Sequence, residues 1–488
     1  MKTLTSKSAS IRAQLDHPVI DCDGHMIEFE PDILDYLRDI GGPRILDEYV
    51  SAIAGSKLFG WDYLSTDERR DKRVARSPWW GAPTKNTLDR ATATLPELLY
   101  ERLDEFGMDF TVLFPSVGMT ATYPKDEEVR RAVCRAYNTY YADLYKNYSD
   151  RITAAAIIPT YTPGEAIEEL EYAVRSLGLK VAFMQSYVRR PVPVVMRESP
   201  QAARWAFWLD SYGLDSEYDY DPVWAKCVEL KVAPCFHTGA TGWGSHNSIS
   251  TYVNNHIGNF AAGGEAVCKS LFLGGVTRRF PTLKFGFLEG GVGWACNLYS
   301  DLISHWEKRN PEALENTNPA NLDRALLLEL YQKYGGKMVD KLEQLGKDPL
   351  GLGAGAGVFE DVTSPEMLDE WMHCQINQAE DIRDLFVNNF YFGCEADDPI
   401  NAWAFNTKVN PLGARLRAIF SSDISHWDVP DMAEVVAEAF ELVEKELISE
   451  RDFRDFVFGN PVSFFSGVNP EFFQGTVVEK YLRQHSTA

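Results

Sequence analysis

The 488-residue sequence has few positive charges and no long apolar run. Its 48 lysines and arginines are outnumbered by 71 acidic residues, giving a formal net charge of −23 at pH 7. Such a chain is a poor partner for the phosphates of nucleic acids or for an anionic membrane surface. No stretch reaches the roughly 18 apolar residues of a membrane span, and residues 1–16 lack the apolar core of a signal peptide. We therefore expect a cytoplasmic protein without nucleic-acid or membrane partners.

Paired cysteines and low-complexity repeats are also missing. The eight cysteines are scattered, and none belongs to a Cys-x-x-Cys pair, which argues against a zinc ribbon. We expect most of them to be small buried side chains in a reducing compartment. The hydrophobic fraction of 45% is ample for a large core.

What the sequence does contain is a series of short apolar runs. Eight of them predict strands, at 18–23, 109–115, 152–159, 179–185, 232–237, 284–289, 389–394 and 418–423. Several are continuous rather than alternating, which is typical of parallel strands buried on both faces. Helical patterns lie between many of them, as at 126–148, 164–177 and 431–447. We therefore predict an α/β fold, a (β/α)8 TIM barrel, with an open doubly wound sheet as the alternative.

The uneven spacing of these strands predicts the domain organisation. The predicted segments are an N-terminal arm (1–17), the barrel (18–460), a C-terminal tail packing on the barrel (461–488), and long insertions after strands 1, 4 and 6 (26–107, 186–221 and 295–388). The glycine-rich run 351–357 predicts a flexible stretch within the last insertion. Loops after barrel strands form the active-site face, so the insertions should shape a pocket or contact a second subunit.

Side chains of the kind that bind metals stand at the ends of four predicted strands. Asp23 and His25 are two residues apart, so on a strand both would point to one face and offer an oxygen and a nitrogen ligand. Alternatively, Asp23 caps a helix and His25 is bonded within a loop. His237, Glu289 and Asp423 end the fifth, sixth and eighth strands. The carboxyl ends of barrel strands meet at one mouth, so we expect these side chains to converge there.

The segments around these residues resemble the amidohydrolase superfamily, and within it the amidohydrolase-2 group that includes metal-dependent nonoxidative decarboxylases. The resemblance is carried by IDCDGH (20–25), FHTG (236–239), GVTRRFPTLKF (275–285), LEGGVGW (288–294) and SDISHWD (422–428). It implies a (β/α)8 barrel with one divalent metal ion at its mouth. By position, the implied ligands are Asp23, His25, His237 and Asp423.

Two positions depart from the common pattern of that group. Many members have His-x-His on the first strand, where this chain has Asp23 and His25. The oxygen ligand makes the site harder, which weakens the case for zinc and favours manganese. Many members also have a histidine where Glu289 stands, so a carboxylate would transfer protons here unless it only bonds to the following glycine turn. The end of the fourth strand has no obvious lysine for a bridging carbamate, which favours one metal ion over two.

Three further residues are candidates for catalysis or its support. Asp423 could transfer a proton as well as bind the metal, unless it only forms a turn within Ser-Ser-Asp. His256, after the fifth strand, is a candidate catalytic residue or a helix-packing residue. His426, in the loop after the eighth strand, could support Asp423 and contact the substrate.

Two pairs of residues are candidates for substrate binding. Arg189 and Arg190 follow the fourth strand, where a fork of donors could hold a carboxylate. Surface ion pairs are the alternative. Trp79 and Trp80 could cover an aromatic substrate or fill an interface.

Two reactions suit such a site. The favoured one is nonoxidative decarboxylation of a small aromatic or unsaturated carboxylic acid, in which Asp423, with Glu289, delivers a proton to the carbon that bears the carboxylate. The alternative is hydrolysis of an amide, ester, lactone or C–C bond by a metal-activated water. A metal-free scaffold is a remote third possibility. We expect one zinc or manganese ion, a carboxylated aromatic small molecule as substrate, and a homodimer or larger homo-oligomer.

Overall fold

Eight parallel strands form the central sheet of the protein. The computed structural model describes residues 6–56, 60–79, 81, 83–203, 205–316, 318, 321–345 and 369–485. The sheet has the order β1 (Ile20–Met26), β2 (Phe110–Pro115), β3 (Ile152–Ile157), β4 (Val181–Met184), β7 (Ala233–Phe236), β8 (Phe285–Phe287), β9 (Phe390–Glu395) and β10 (Arg417–Ser421). All eight predicted strands are therefore confirmed, as is the predicted (β/α)8 barrel.

Backbone hydrogen bonds bring the first and last strands of the sheet together. The Asp423 N–H donates to the Asp23 carbonyl at 3.0 Å, and the His25 N–H donates to the Ile424 carbonyl at 3.0 Å. These contacts nearly close the barrel, and they involve the backbone of three of the predicted ligands, Asp23, His25 and Asp423. Every residue of β1, β2, β4, β7 and β8 is buried, which explains why their sequences are apolar without alternation.

Helices follow most of the strands. The α-helices are Lys7–Arg12, Glu30–Ser56, Thr66–Lys72, Thr87–Thr92, Pro96–Phe106, Glu127–Tyr145, Pro163–Glu171, Pro193–Glu198, Asp221–Leu230, Tyr252–His256, Asn259–Leu273, Val276–Arg279, Gly293–Arg309, Arg324–Tyr334, Ala379–Asn389, Ala402–Phe405, Val435–Glu444, Glu450–Arg454, Asn460–Val468 and Glu479–His485. The helix predicted at 126–148 begins after Asp126, whose side chain caps it by accepting the Val129 N–H. The helix predicted at 431–447 is shorter, beginning at Val435.

The segment after β4 forms a small ribbon of its own. Strands β5 (Val188–Pro191) and β6 (Phe207–Asp210) pair in antiparallel fashion, with the short helix Pro193–Glu198 between them. A buried ion pair joins the two strands, because Arg190 Nε lies 2.6 Å from Asp210 Oδ2.

The chain divides into two units, Met1–Tyr299 with Arg383–Ala488, and Ser300–Ile382. Within the second unit, the rings of Trp306 and Trp371 meet edge to face at 5.6 Å. The predicted boundaries at 17/18 and 460/461 stay predictions, and the glycine-rich run 351–357 lies outside the described residues. In the part of the chain that is described, no helix has both the length and the apolar character needed to cross a bilayer.

Candidate metal centre

The C-terminal ends of the barrel strands bring the predicted ligands together. Asp23 and His25 come from β1, His237 directly follows β7, and Asp423 follows β10. His25 Nε2 lies 3.5 Å from Asp23 Oδ1 and 3.4 Å from Asp423 Oδ1. His237 Nε2 lies 3.3 Å from the same Asp23 oxygen and 3.2 Å from Glu289 Oε2. Each side chain is thus within 3.5 Å of another member of the cluster.

These separations fit ligands of one ion better than a hydrogen-bonded network. Two atoms that each lie about 2.1 Å from a central ion are about 3.0 to 3.5 Å apart. Both carboxylate oxygens of Asp23 and Asp423, and both ring nitrogens of His25 and His237, are buried without a hydrogen bond of ordinary geometry to any described residue. Burying such groups without partners is costly. The residues therefore fit a single divalent ion.

A local irregularity places Asp23 and His25. The register of β1 against β2 shifts between Asp21 and Gly24, as in a β-bulge, which re-aims side chains. The glycine allows close packing there, because a Cβ at Gly24 would lie 2.6 Å from Asp21 Oδ2 and 2.8 Å from Thr111 Oγ1. The simple two-residue alternation that motivated the prediction is thus interrupted, although both side chains still reach the cluster.

Asp21 joins the first strand of the barrel to β2 and to the loop after β10, beside the cluster. Its carboxylate accepts hydrogen bonds from Thr111 Oγ1 at 2.6 Å, from Ser422 Oγ at 2.8 Å, and from the Ser422 and Asp23 N–H groups at 2.9 and 3.2 Å. Asp21 therefore connects β1 to β2 and to the loop after β10, next to two predicted ligands. Sequence reasoning assigned it no role.

Two of the acids lie in an uncommon backbone conformation. Glu289 has φ 54° and Asp423 has φ 51°, both in the left-handed region that residues other than glycine rarely adopt. Such strain amounts to about 1–3 kcal/mol per residue and concentrates at functional sites. The two carboxylates reach the same cluster from the ends of β8 and β10, which are separated by β9 in the sheet.

The proximity of several acids perturbs their protonation. Burial by itself would lower the pKa of His237, but the carboxylates of Asp23 and Glu289 raise it to about 10. Burial raises the pKa of Glu289 to about 7 against the opposing effect of His237. Burial also raises the pKa of Asp423 well above its usual range, reinforced by the carboxylates of Glu289 and Asp428. Without an ion, the cluster retains protons that a divalent cation would displace.

His426, predicted to support Asp423, directly contacts two of the predicted ligands. Its Nδ1 is 2.5 Å from Asp423 Oδ1, and its ring stacks on that of His25 at 3.6 Å. His25, Glu289, Asp423 and His426 each offer one ligand atom within 4.8 Å of the others. His426 is therefore a further candidate ligand. The Trp79 ring meets the His426 ring edge to face at 4.3 Å, while Trp80 lies outside the described residues.

A cavity of about 200 Å³ adjoins the cluster. Its lining residues are His256, Ile257, Gly258, Asn259, Phe260, Ala261, Glu289, Gly290, Gly291, Glu395 and Asp398. Glu289 thus belongs to both the cavity wall and the cluster.

His256 stacks on Tyr252 at 5.5 Å, and its Nε2 lies 3.9 Å from Asp428 Oδ2. Sequence reasoning missed Glu395 and Asp398, although an acid at the end of the seventh barrel strand was a visible signal.

The two arginines after β4 differ from each other. Arg190 is buried, pairs with Asp210 and donates to the Tyr220 hydroxyl at 2.9 Å, so it forms the ion pair considered for it, but in the interior rather than at the surface. Arg189 is exposed and donates to the Thr241 carbonyl at 3.2 Å. It does not line the cavity, as far as the described residues show, and its role in binding a substrate carboxylate stays a prediction.

A parallel eight-stranded barrel with histidines and carboxylates gathered at its strand ends defines the class of metal-binding TIM-barrel proteins. Within that class, the chain belongs to the amidohydrolase family of enzymes, because the family model described as amidohydrolase matches residues 20–318, more than half of the chain. The predicted family is thereby confirmed.

Individual relatives are distant. Decarboxylase orsB of Emericella nidulans is 24% identical over 200 residues, which cover 36% of this chain and 49% of that protein. The chain therefore matches about half the length of this curated relative. An amidohydrolase from Mycobacterium avium subsp. paratuberculosis K-10 has a similar structure, with 18% identity and a TM-score of 0.51 over 92% of this chain and 100% of that one. A dihydroxybenzoic acid decarboxylase from Polaromonas sp. JS666, solved with manganese and 2-nitroresorcinol, has 16% identity and a TM-score of 0.50 over 94% and 99% of the two chains. These two structures show a shared fold.

Proposed function

We propose that the protein is a metal-dependent decarboxylase that removes the carboxylate of a small aromatic acid without oxidation. The observation that carries this proposal is the position of Glu289. Its Oε2 lies 3.2 Å from His237 Nε2 and 3.7 Å from His25 Nε2, and the same side chain lines the adjoining cavity. A proton donor between a metal centre and a cavity is the arrangement that protonation of a bound ring requires.

Asp23, His25, His237 and Asp423 would hold the ion. When bound, a divalent ion supplies positive charge that orients a substrate carboxylate and offsets negative charge developing during the reaction. The two carboxylates among these four ligands favour manganese over zinc, because oxygen ligands suit the harder ion. Two relatives support the proposal, since one is named a decarboxylase and the other is a decarboxylase solved with manganese.

The residues of the chain account for the proton. Glu289 is protonated in about half of the molecules at pH 7, because burial raises its pKa to about 7. In this form it gives its proton to the ring carbon that bears the carboxylate. The bond from this carbon to the carboxylate then breaks, its electron pair restores the aromatic ring, and carbon dioxide leaves. Glu289 regains a proton from water through the cavity, and His256, which also lines the cavity, assists this transfer. Trp79, beside His426, is proposed to cover the substrate.

Deuterium labelling tests this reaction. Manganese-loaded protein is incubated in D₂O with hydroxylated benzoic acids, and we expect carbon dioxide together with a product that carries one deuterium on the carbon that lost its carboxylate. Glu289→Gln should lower the rate by about 10²–10⁴-fold, as for loss of a general acid. Glu265→Gln, which removes an acid with a 44% exposed side chain, is the matched control and should behave as wild type.

Two results would contradict this proposal. A product that has gained the elements of water, with no carbon dioxide, would replace decarboxylation by hydrolysis at the same metal centre. A Glu289→Gln rate equal to that of wild type would refute the assigned proton donor. The homo-oligomer and the cytoplasmic location expected from the sequence stay predictions.

A further inference from the structure

The cavity beside the metal centre is lined by acidic side chains. Glu289, Glu395 and Asp398 line it, and none of its described lining residues is a lysine or arginine. The Glu289 side chain is 1% exposed, and its Oε2 lies 3.2 Å from His237 Nε2 within the metal cluster. Its other oxygen, Oε1, is buried with no hydrogen-bond partner among the described residues. A buried carboxylate oxygen without a partner on the wall of a cavity indicates that a ligand in the cavity would bind it.

The two other acids occupy the wall formed after β9. Glu395 ends that strand, and Asp398 Oδ1 accepts the Ile400 N–H at 2.9 Å. Asp398 Oδ2 lies near the turn after Glu289, because a Cβ added at Gly291 would be 3.2 Å from it. The two acidic walls therefore face a common space.

The charges that act most strongly on Glu395 are all negative. Burial raises its pKa well above the usual range, and the carboxylates of Glu289, Asp428, Asp397 and Asp398 raise it further. Gathering several acids at a partly buried site without a cation is unfavourable. A ligand that brings positive charge and N–H donors would remove this penalty.

A second metal ion fits this part of the site poorly. The described residues whose ligand atoms lie within 4.8 Å of one another are Asp23, His25 and His237, and His25, Glu289, Asp423 and His426. Glu395 and Asp398 belong to neither group. Among the described residues, neither has two further ligand groups within that distance to complete a metal site, but both can accept hydrogen bonds from an organic cation.

We propose that this cavity is a subsite for a protonated amine on the substrate, with Glu395 and Asp398 as its specificity-determining acceptors. The inference rests on the proposed function: the carboxylate of an aromatic acid would lie at the metal centre, and its ammonium group would enter the cavity. The volume of about 200 Å³ limits the occupant to one substituted ring, since a cavity of about 150 Å³ accommodates benzene.

Matched ligands test the subsite independently of turnover. Hydroxybenzoic acids that carry an aminomethyl, a hydroxymethyl or an ethyl group at the same ring position differ mainly in charge and hydrogen bonding. Calorimetric titration of the manganese-loaded protein at pH 7 should show the aminomethyl acid binding at least about 10-fold more tightly than the ethyl acid. Glu395→Gln and Asp398→Asn should each reduce that preference several-fold.

Asp397→Asn is the matched control. It removes one negative charge next to Asp398, but Asp397 is exposed and does not line the cavity, so the preference should persist. Asp398→Asn retains an oxygen for the Ile400 N–H and therefore preserves the local turn. Thermal unfolding of each variant verifies that it folds.

The outcomes separate the subsite from the proposed reaction. If hydroxylated acids release carbon dioxide but the aminomethyl acid shows no binding preference, the subsite is refuted and the decarboxylase remains. If the preference exists and depends on Glu395 while no acid releases carbon dioxide, the subsite stands and the reaction is wrong. Two manganese ions per wild-type chain, falling to one in Glu395→Gln, would overturn the subsite in favour of a second ion.

Discussion

Replacing Asp21 by asparagine tests how this buried carboxylate, which joins β1 to β2 and to the loop after β10, affects the stability of the barrel. The aspartate is completely buried, and burial raises its pKa from 3.8 to about 6 despite the hydrogen bonds it accepts. A carboxyl group whose pKa is raised by folding stabilises the folded state most when it is protonated. This contribution is present below pH 3.8 and declines as the pH rises through 6.

The size of the effect follows from this pKa. The rise from 3.8 to about 6 corresponds to about 3 kcal/mol, of which about half falls between pH 5 and pH 8. Asparagine has nearly the same shape and does not ionise. The free energy of unfolding of Asp21→Asn, relative to wild type, should therefore rise by about 1.5 kcal/mol over this pH range.

Urea unfolding of both proteins, freed of metal by a chelator, measures the difference at several pH values. Asp67→Asn, which removes a charge from a 97% exposed side chain, is the matched control and should differ from wild type by a constant amount. Parallel pH curves for wild type and Asp21→Asn would refute the reasoning. They would show that the four hydrogen bonds to Asp21 hold its pKa near the ordinary value.

Two other predictions concern the cluster and the ribbon after β4. Manganese binding should release protons and tighten as the pH rises from 6 to 8, because the ion competes with protons on His237, whose pKa is raised to about 10. Calorimetry in buffers of different ionisation enthalpy measures this release, and a pH-independent affinity would contradict it. Arg190→Met should lower the free energy of unfolding by about 3–5 kcal/mol, because it leaves the buried carboxylate of Asp210 without its partner. In the same urea titrations, the exposed Arg189→Met should change stability by under about 0.5 kcal/mol, and equal losses in the two variants would contradict the buried pair.

The features that the sequence predicted are those that depend on local pattern and general topology. Continuous apolar runs identified all eight barrel strands. Because parallel strands end at one mouth, the positions of Asp23, His237 and Asp423 at strand ends were enough to predict that they converge. The position of each side chain at that mouth could not be predicted in this way.

What the sequence did not predict depends on contacts between distant residues or on backbone conformation. The burial of Arg190 requires Asp210, twenty positions later, to face it across the ribbon. The left-handed conformations of Glu289 and Asp423 have no reliable signal in residues other than glycine. The role of Glu395 was missed because only the folded barrel brings it to the wall of the cavity that Glu289 also lines.

X-ray diffraction at the manganese absorption edge tests the central claim most directly. Crystals of the manganese-treated protein should show one anomalous peak, surrounded by Asp23, His25, His237 and Asp423 at bond lengths near 2.2 Å, typical of nitrogen and oxygen ligands. Crystals without a peak in this cluster, or with a peak only elsewhere on the chain, would contradict the account.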